Sequence, residues 1–152
     1  MPDPIVFTST SPRHGLPLLF TGQAGKEFTV NEAHALIDAL LHPAIEGVAN
    51  DPPATPAEGQ CWLAGNAPTG SWHDHAGELA CRSAGDWLFA APRDGMVLLD
   101  RSSGQLRLFR GGAWTMAAVP AAPSGGTTVD AEARTAIAQI VTALADCGIL
   151  PA

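Results

Sequence analysis

Charged residues, basic clusters and long apolar runs are all scarce in this sequence of 152 residues. Charged side chains make up 15% of the chain, against about a quarter in an average soluble protein. Eight Lys and Arg face fifteen Asp and Glu, and the formal net charge is −7. An acidic surface repels nucleic-acid phosphates, so we expect no nucleic-acid partner. No run of about 18 apolar residues is present, so we also expect no insertion into a membrane.

The sequence also lacks Tyr and any closely spaced pair of Cys. Cys61, Cys81 and Cys147 form no Cys-x-x-Cys motif, and we expect three reduced thiols. Asp3 and two prolines occupy the N-terminus, where a secretion signal carries positive charge and then an apolar run. These features predict a protein that is made and folded in the cytoplasm.

Proline and glycine are frequent, with thirteen and sixteen copies, and they divide the chain into segments. The segments predict an α+β fold with an antiparallel β-hairpin domain between two helical parts. We predict an extended arm over 1–28, a helix over 29–49, the β domain over 50–118, a linker over 119–126 and an oligomerisation helix over 127–148. The arm either docks on a neighbouring subunit or straps its own core.

The first predicted helix has a start signal, an apolar stripe and a stop signal. Thr29 and Glu32 have the spacing of a capping box. Apolar residues recur at helical spacing as far as Leu41, and Pro43 ends the pattern.

Short apolar runs alternate with turn sequences between residues 60 and 118, which predicts antiparallel hairpins. Residues 73–82 are predicted to form a short helix or a loop. The predicted strands cover residues 61–64, 87–91, 96–99, 106–110 and 113–118.

The C-terminal segment carries the pattern on which the functional prediction depends. Thr128 or Asp130 is expected to cap a helix that Gly148 ends. Apolar residues in this helix recur in alternating steps of four and three, as in a coiled coil, and Ile at both kinds of position favours three strands. The stripe comprises Ala133, Ile137, Ile140, Leu144 and Cys147. We predict a homotrimer built on this stripe, with packing of the helix on its own domain as the alternative.

Candidate binding residues cluster at Trp72, His73 and Asp74. Trp72 lies in a turn-rich segment, and an exposed indole there would stack on a sugar, which makes a glycan-binding module the alternative function. Catalysis would need His73, Asp74 and His75 to converge in a pocket, but neither a nucleophile motif nor a third metal ligand accompanies them. We therefore predict no catalytic residue, no metal and no cofactor, and a hydrolase is the least favoured function.

Several motifs match one known family over nearly the whole chain. They include Gly15–Leu19, Gly22–Glu27, Asn31–Ala33, Leu36–Leu40, Pro53–Gly59, Ala91–Gly95 and Glu132–Ile137. By these motifs the chain resembles an uncharacterised family from phages, prophages and gene transfer agents of alphaproteobacteria. The resemblance implies a structural component of a virion appendage, such as a tail fibre, head spike or adaptor. It also implies other virion subunits as partners and a final location in a particle, and it does not imply a catalytic residue. A host cell-surface glycan is expected as a further partner only through an exposed Trp72.

Overall fold

The computed structural model describes residues 10–13, 16, 18–19 and 26–151. These residues form two helices and two small sheets, which confirms the predicted α+β class. The chain divides into two compact units. The first takes in the residues up to Pro43 and Val48–Pro92, and the second takes in Ala44–Gly47 and the residues from Arg93 onwards. No helix within the described ranges is long and apolar enough to cross a membrane.

In chain order the elements are α1 (Lys26–Leu40), β1 (Ala44–Ile45), β2 (Val48–Ala49), β3 (Cys61–Ala64), β4 (Leu79–Ser83), β5 (Asp86–Ala90), β6 (Val97–Asp100), β7 (Gln105–Arg110), β8 (Ala113–Thr115) and α2 (Ala131–Asp146). The strands predicted from the hairpin pattern are joined by β1, β2 and β4, which the pattern did not predict. The predicted β domain over 50–118 thus supplies strands to two separate sheets.

The sheet of the first unit has the strand order β2-β3-β4-β5. The hairpins β3-β4 and β4-β5 are antiparallel, whereas the two-residue strand β2 pairs with β3 in parallel. The prediction of a helix or loop over residues 73–82 is wrong at its C-terminal end, where β4 is a central strand. Its first three residues are buried, and a strand buried on both faces does not show the polar–apolar alternation on which the prediction relied.

Helix α1 begins before the predicted capping box. Because Thr29 lies inside Lys26–Leu40, it is not the N-cap, and the capping-box prediction is wrong. The helix ends at Leu40, and His42 adopts a positive φ of 48°, so the chain has already turned when it reaches Pro43. Residues 44–49, which belonged to the predicted helical segment, instead supply the short strands β1 and β2.

Arg13 joins the N-terminal residues to the end of α1. Its guanidinium donates hydrogen bonds to the carbonyl oxygens of Asp38 (3.0 Å), Ala39 (2.6 Å) and His42 (2.9 Å). A cation at this position adds hydrogen bonds to carbonyls at the helix C-terminus and opposes the negative end of the helix dipole. The described part of the arm therefore straps its own unit. Residues 1–9, 14–15, 17 and 20–25 of the predicted arm lie outside the described residues.

A disulfide joins Cys61 on β3 to Cys81 on β4. The two residues are directly opposite in the register, with Cα atoms 4.1 Å apart, and both are buried. The expectation of three reduced thiols is therefore wrong for this pair, while Cys147 is free and exposed. The error follows from the missed strand, because without β4 nothing in the sequence places Cys81 beside Cys61.

The sheet of the second unit has the order β1-β6-β7-β8 and is antiparallel except for β1. Asp100, at the end of β6, is buried and accepts hydrogen bonds from the Ser102 hydroxyl (2.6 Å) and from the Arg107 Nη2 (2.7 Å). Burial raises the pKa of Asp100, but the hydrogen bonds from Ser102 and Arg107 outweigh it and hold the pKa below its ordinary value of 3.8. The ionised carboxylate thus fixes the turn between β6 and β7.

Removal of the disulfide should destabilise the first unit. A crosslink between residues 20 positions apart restricts the unfolded chain and is worth about 3 kcal/mol. We expect a reducing agent to lower the free energy of unfolding of the native chain by that amount in urea titrations. The double variant Cys61→Ala/Cys81→Ala should show the lower stability without reductant and no further response to it. Equal stability of the native chain in oxidising and reducing buffer would contradict the disulfide.

Asp100 should make the stability of the second unit depend on acid pH. Because its pKa is depressed in the folded state, its contribution is complete well above pH 3.8 and is lost as the pH falls through the lower folded-state value. Asp100→Asn should cost roughly 2 kcal/mol at neutral pH, since Arg107 loses its partner but keeps some contact with water. Hydrogen exchange of the β6 and β7 amides measures this unit, and the difference between the variant and the native chain should shrink below pH 3.8. The exposed Asp94→Asn is the matched control. A stability difference between Asp100→Asn and the native chain that stayed constant down to about pH 2.5, near the lowest carboxylate pKa values, would refute the assignment.

Candidate functional site

The C-terminal helix α2 has defined caps at both ends. Asp130, one of the two predicted caps, accepts a hydrogen bond at its Oδ1 from the Ala133 amide at 2.9 Å. At the other end Gly148 has a φ of 71°, and its amide donates to the Ala145 carbonyl at 2.8 Å. The Ile149 amide donates to the Leu144 carbonyl at 2.9 Å, which completes a Schellman motif. The predicted start and stop of this helix are both confirmed.

Backbone and side-chain hydrogen bonds fasten the end of α2 to strand β7. The Leu106 amide donates to the Gly148 carbonyl at 2.7 Å. The buried Gln105 amide group donates to the carbonyls of Ala117 at 2.7 Å and Ile149 at 3.3 Å. Gly148 has no room for a side chain, because a Cβ there would lie 2.9 Å from the Gly104 carbonyl oxygen. The base of α2 is thus fixed at residues 148–150.

The extended segment that precedes α2 lies against the body of the helix. Arg134 donates to the carbonyls of Pro123 (3.0 Å) and Gly125 (2.7 Å), which holds residues 119–125 along one flank of the helix. An apolar groove of about 450 Å³ lies between this segment and the helix residues Ile137 and Val141. Residues 116–130 are all exposed, and α2 contains no buried residue.

The predicted oligomerisation stripe occupies one face of α2 and its C-cap. Its five members follow the spacing that places side chains on one side of a helix: Ala133, Ile137, Ile140, Leu144 and Cys147. Ile137 is 44% exposed and Ile140 is 59% exposed, while Leu144 is half-buried. The opposite side carries polar residues such as Thr135 and Gln139. One copy of the chain therefore leaves the stripe largely in water, and the predicted trimer stays a prediction.

Trp72 is fully buried, which corrects the expectation that a glycan stacks on it. It ends a short 3₁₀ turn, Gly70–Trp72, which folds the indole onto one face of the sheet of the first unit. There its ring packs perpendicular to Trp87, with centroids 5.0 Å apart, and lies 6.5 Å from Trp62. Ala64 and Ala80 complete the cluster. A ring with no accessible surface has no face to offer a sugar.

His73 and Asp74 remain at the surface and interact with each other. The His73 Nδ1 lies 3.0 Å from the Asp74 Oδ2, and the two side chains are 73% and 85% exposed. The His75 Nδ1 instead lies 2.8 Å from the Glu78 Oε2, and the His75 ring stacks on the Phe89 ring with centroids 3.5 Å apart. The three residues do not converge in a pocket. Among the described residues, no group of three or more His, Cys, Asp and Glu side chains is placed to hold a metal ion.

A cleft of about 640 Å³ in the first unit was not predicted. Its lining includes Trp87, Asn31 and carboxylates such as Glu58 and Asp86. These groups already make hydrogen bonds within the fold. The Asn31 side chain accepts from the Leu19 amide and donates to the Leu19 carbonyl. Glu58 accepts from the Gly85 amide, and Asp86 accepts from the Trp87 amide. These hydrogen bonds give the polar groups of the cleft a structural role.

Comparison with known families gives one match. A family model described as "Protein of unknown function (DUF2793)" matches residues 30–115, which is more than half of the chain. The matched segment begins within α1 and ends with β8, so it contains the whole of both sheets and excludes α2. No curated protein matches the sequence.

Proposed function

The chain belongs to the family of proteins of unknown function DUF2793, and we propose that it is a structural subunit of a phage-like particle that assembles through α2. In this proposal the subunit forms a homotrimer and contributes to a tail fibre, a spike or an adaptor. Its partners are further copies of itself, other subunits of the particle and the host surface. The motif resemblance to appendage proteins of phages and gene transfer agents supports the particle assignment.

The uncovered stripe on α2 is the observation that carries the assembly proposal. A helix of 16 residues is marginal in water without tertiary contacts. Ile137 and Ile140 nevertheless keep about half of their surface exposed, and full burial of such a side chain is worth about 1.5–3 kcal/mol. Two neighbouring copies of the same helix offer a matching apolar surface, and Ile at both heptad positions fits a three-stranded bundle.

The buried disulfide supports a working place outside the cell. Disulfides persist in oxidising surroundings and are rare in proteins that stay in the cytosol. A particle subunit is made in the cytoplasm but functions after release, so Cys61 and Cys81 have the opportunity to join. The acidic net charge of −7 fits a partner other than nucleic acid.

Charge placed on the stripe should dissociate the assembly. We expect light scattering after size exclusion to give three times the chain mass for the native protein and one chain mass for Ile137→Glu/Ile140→Glu, because ionised carboxylates oppose burial. Thr135→Glu/Gln139→Glu adds the same charge on the opposite, exposed side of α2 and should remain trimeric. A native chain that is monomeric at all concentrations, or a control that dissociates equally, would refute assembly through this stripe.

Particles should contain the chain. We expect phage-like particles purified from culture supernatant on a density gradient to carry it, detected by mass spectrometry, in copy numbers that are multiples of three. Deletion of its gene should leave heads and tails but remove or shorten one appendage in electron micrographs. Detection of the chain only in the cell lysate, with particles unchanged by the deletion, would refute the particle assignment.

A further inference from the structure

The sheet of the second unit has one face whose large aliphatic side chains are 37–45% exposed. Side chains alternate between the two faces of a strand, and the register places four large aliphatic side chains together on the outer face. These are Val97, Leu99, Leu106 and Leu108, paired as Val97 with Leu108 and Leu99 with Leu106. Each is exposed, whereas Leu98, Asp100 and Gln105 on the other face are buried.

This outer apolar face departs from the usual pattern of an antiparallel sheet. A sheet that packs on one side normally turns polar side chains to the solvent on the other. Here four neighbouring positions on two strands are all Val or Leu. The largest apolar patch on a typical monomer measures about 300–600 Å² and is often functional, so this face is a candidate interaction surface.

The outer apolar face adjoins the base of α2. Leu106 belongs to it, and the amide of the same residue bonds the Gly148 carbonyl at the end of the helix. Ile149, next in the chain, is exposed as well. The uncovered face and the uncovered stripe therefore belong to one unit and meet at residues 148–149.

Exposed apolar side chains concentrate in this unit. Of the fourteen large hydrophobic side chains that are exposed among the described residues, ten lie from residue 93 onwards. The seven of these that lie on the sheet face, on the stripe or at residue 149 expose on the order of 600 Å² per copy, most of the roughly 800 Å² that each partner contributes to a standard interface. The two isoleucines of the stripe supply roughly 200 Å² of it, which by itself is well below that standard.

Charge also favours a copy of the same unit as the partner. Residues 44–47 and 93–152 hold five Arg and six Asp and Glu, a net charge of −1, whereas the rest of the chain carries −6. Two copies of a nearly neutral unit approach each other with little like-charge repulsion.

We infer that the outer apolar face is a second self-association surface, covered by another copy of this chain in the same assembly that α2 joins. The inference rests on the proposed self-association and adds the part of the interface that the short helix does not supply. The stripe and the sheet face act together, so each copy buries Val97, Leu99, Leu106 and Leu108 when the assembly forms.

Two valines provide a matched test. Val97 on β6 is 45% exposed, and Val48 on β2 in the first unit is 46% exposed. Val97→Glu should raise the concentration at which the full-length assembly half-dissociates by at least about tenfold, the effect of losing 1.4 kcal/mol. Val48→Glu should leave it unchanged, since that valine lies outside the proposed surface. Sedimentation equilibrium over a concentration series measures both, and circular dichroism checks that each variant is folded.

Leu108→Gln, which keeps the volume and adds no charge, serves as a second variant if Val97→Glu folds poorly. Dissociation of Ile137→Glu/Ile140→Glu together with native-like assembly of Val97→Glu and Leu108→Gln would overturn this inference and leave assembly through α2 standing. Dissociation of the sheet variants with an intact helix variant would support the sheet surface and remove the role of α2. A monomeric native chain would overturn both.

Discussion

Apolar surface that one copy of the chain leaves in water is the constraint on which the organisation of the second unit depends. Helix α2 is fastened just beyond its C-terminal end, where Gly148 and Gln105 take part in hydrogen bonds. Its 16 residues extend for about 24 Å without a buried side chain. The segment before it lies along one flank, held by the Arg134 hydrogen bonds, and reaches the edge of the stripe at Ile137, which remains 44% exposed. A helix of this length is marginal in water when its apolar side is not buried, which is the physical ground for the proposed self-association.

The first unit meets the same requirement internally. Trp72 closes one face of its sheet by packing against Trp62 and Trp87, and the Cys61–Cys81 disulfide lies with Leu63 and Leu79 on the other. The tryptophan cluster and the disulfide both suit a small sheet, because a small core supplies little stabilisation without a crosslink or large buried side chains. The two units thus differ in kind: one stabilises itself, while the other keeps an ordered but uncovered surface.

Local signals in the sequence predicted the parts of the fold that depend on local chemistry. Asp130 and Gly148 marked the ends of α2, and the turn residues between β6 and β7 marked that hairpin. Features that depend on residues distant in the sequence could not be predicted. Strand β4 shows no alternation of polar and apolar residues because it is buried on both faces. The disulfide across β3 and β4 could be recognised only once β4 was known to be a strand. The capping-box spacing at Thr29 was present by chance inside a helix. Trp72 was misjudged because a turn-rich segment can fold its one large side chain inward as readily as outward.

The two uncovered surfaces of the second unit contribute differently to an assembly. A short heptad stripe specifies stoichiometry, because the shape of Ile at the facing positions suits three helices better than two. The stripe offers little apolar area for burial, so in the proposed assembly it would specify the number of copies without supplying much of the free energy of association. The sheet face, with its four Val and Leu side chains, supplies burial that is proportional to area and has little preference for number. The sheet face lies within the segment that matches the DUF2793 family model, and α2 lies outside that segment. In the assembly that we propose, α2 would set the number of copies, and the sheet face would supply most of the buried apolar area.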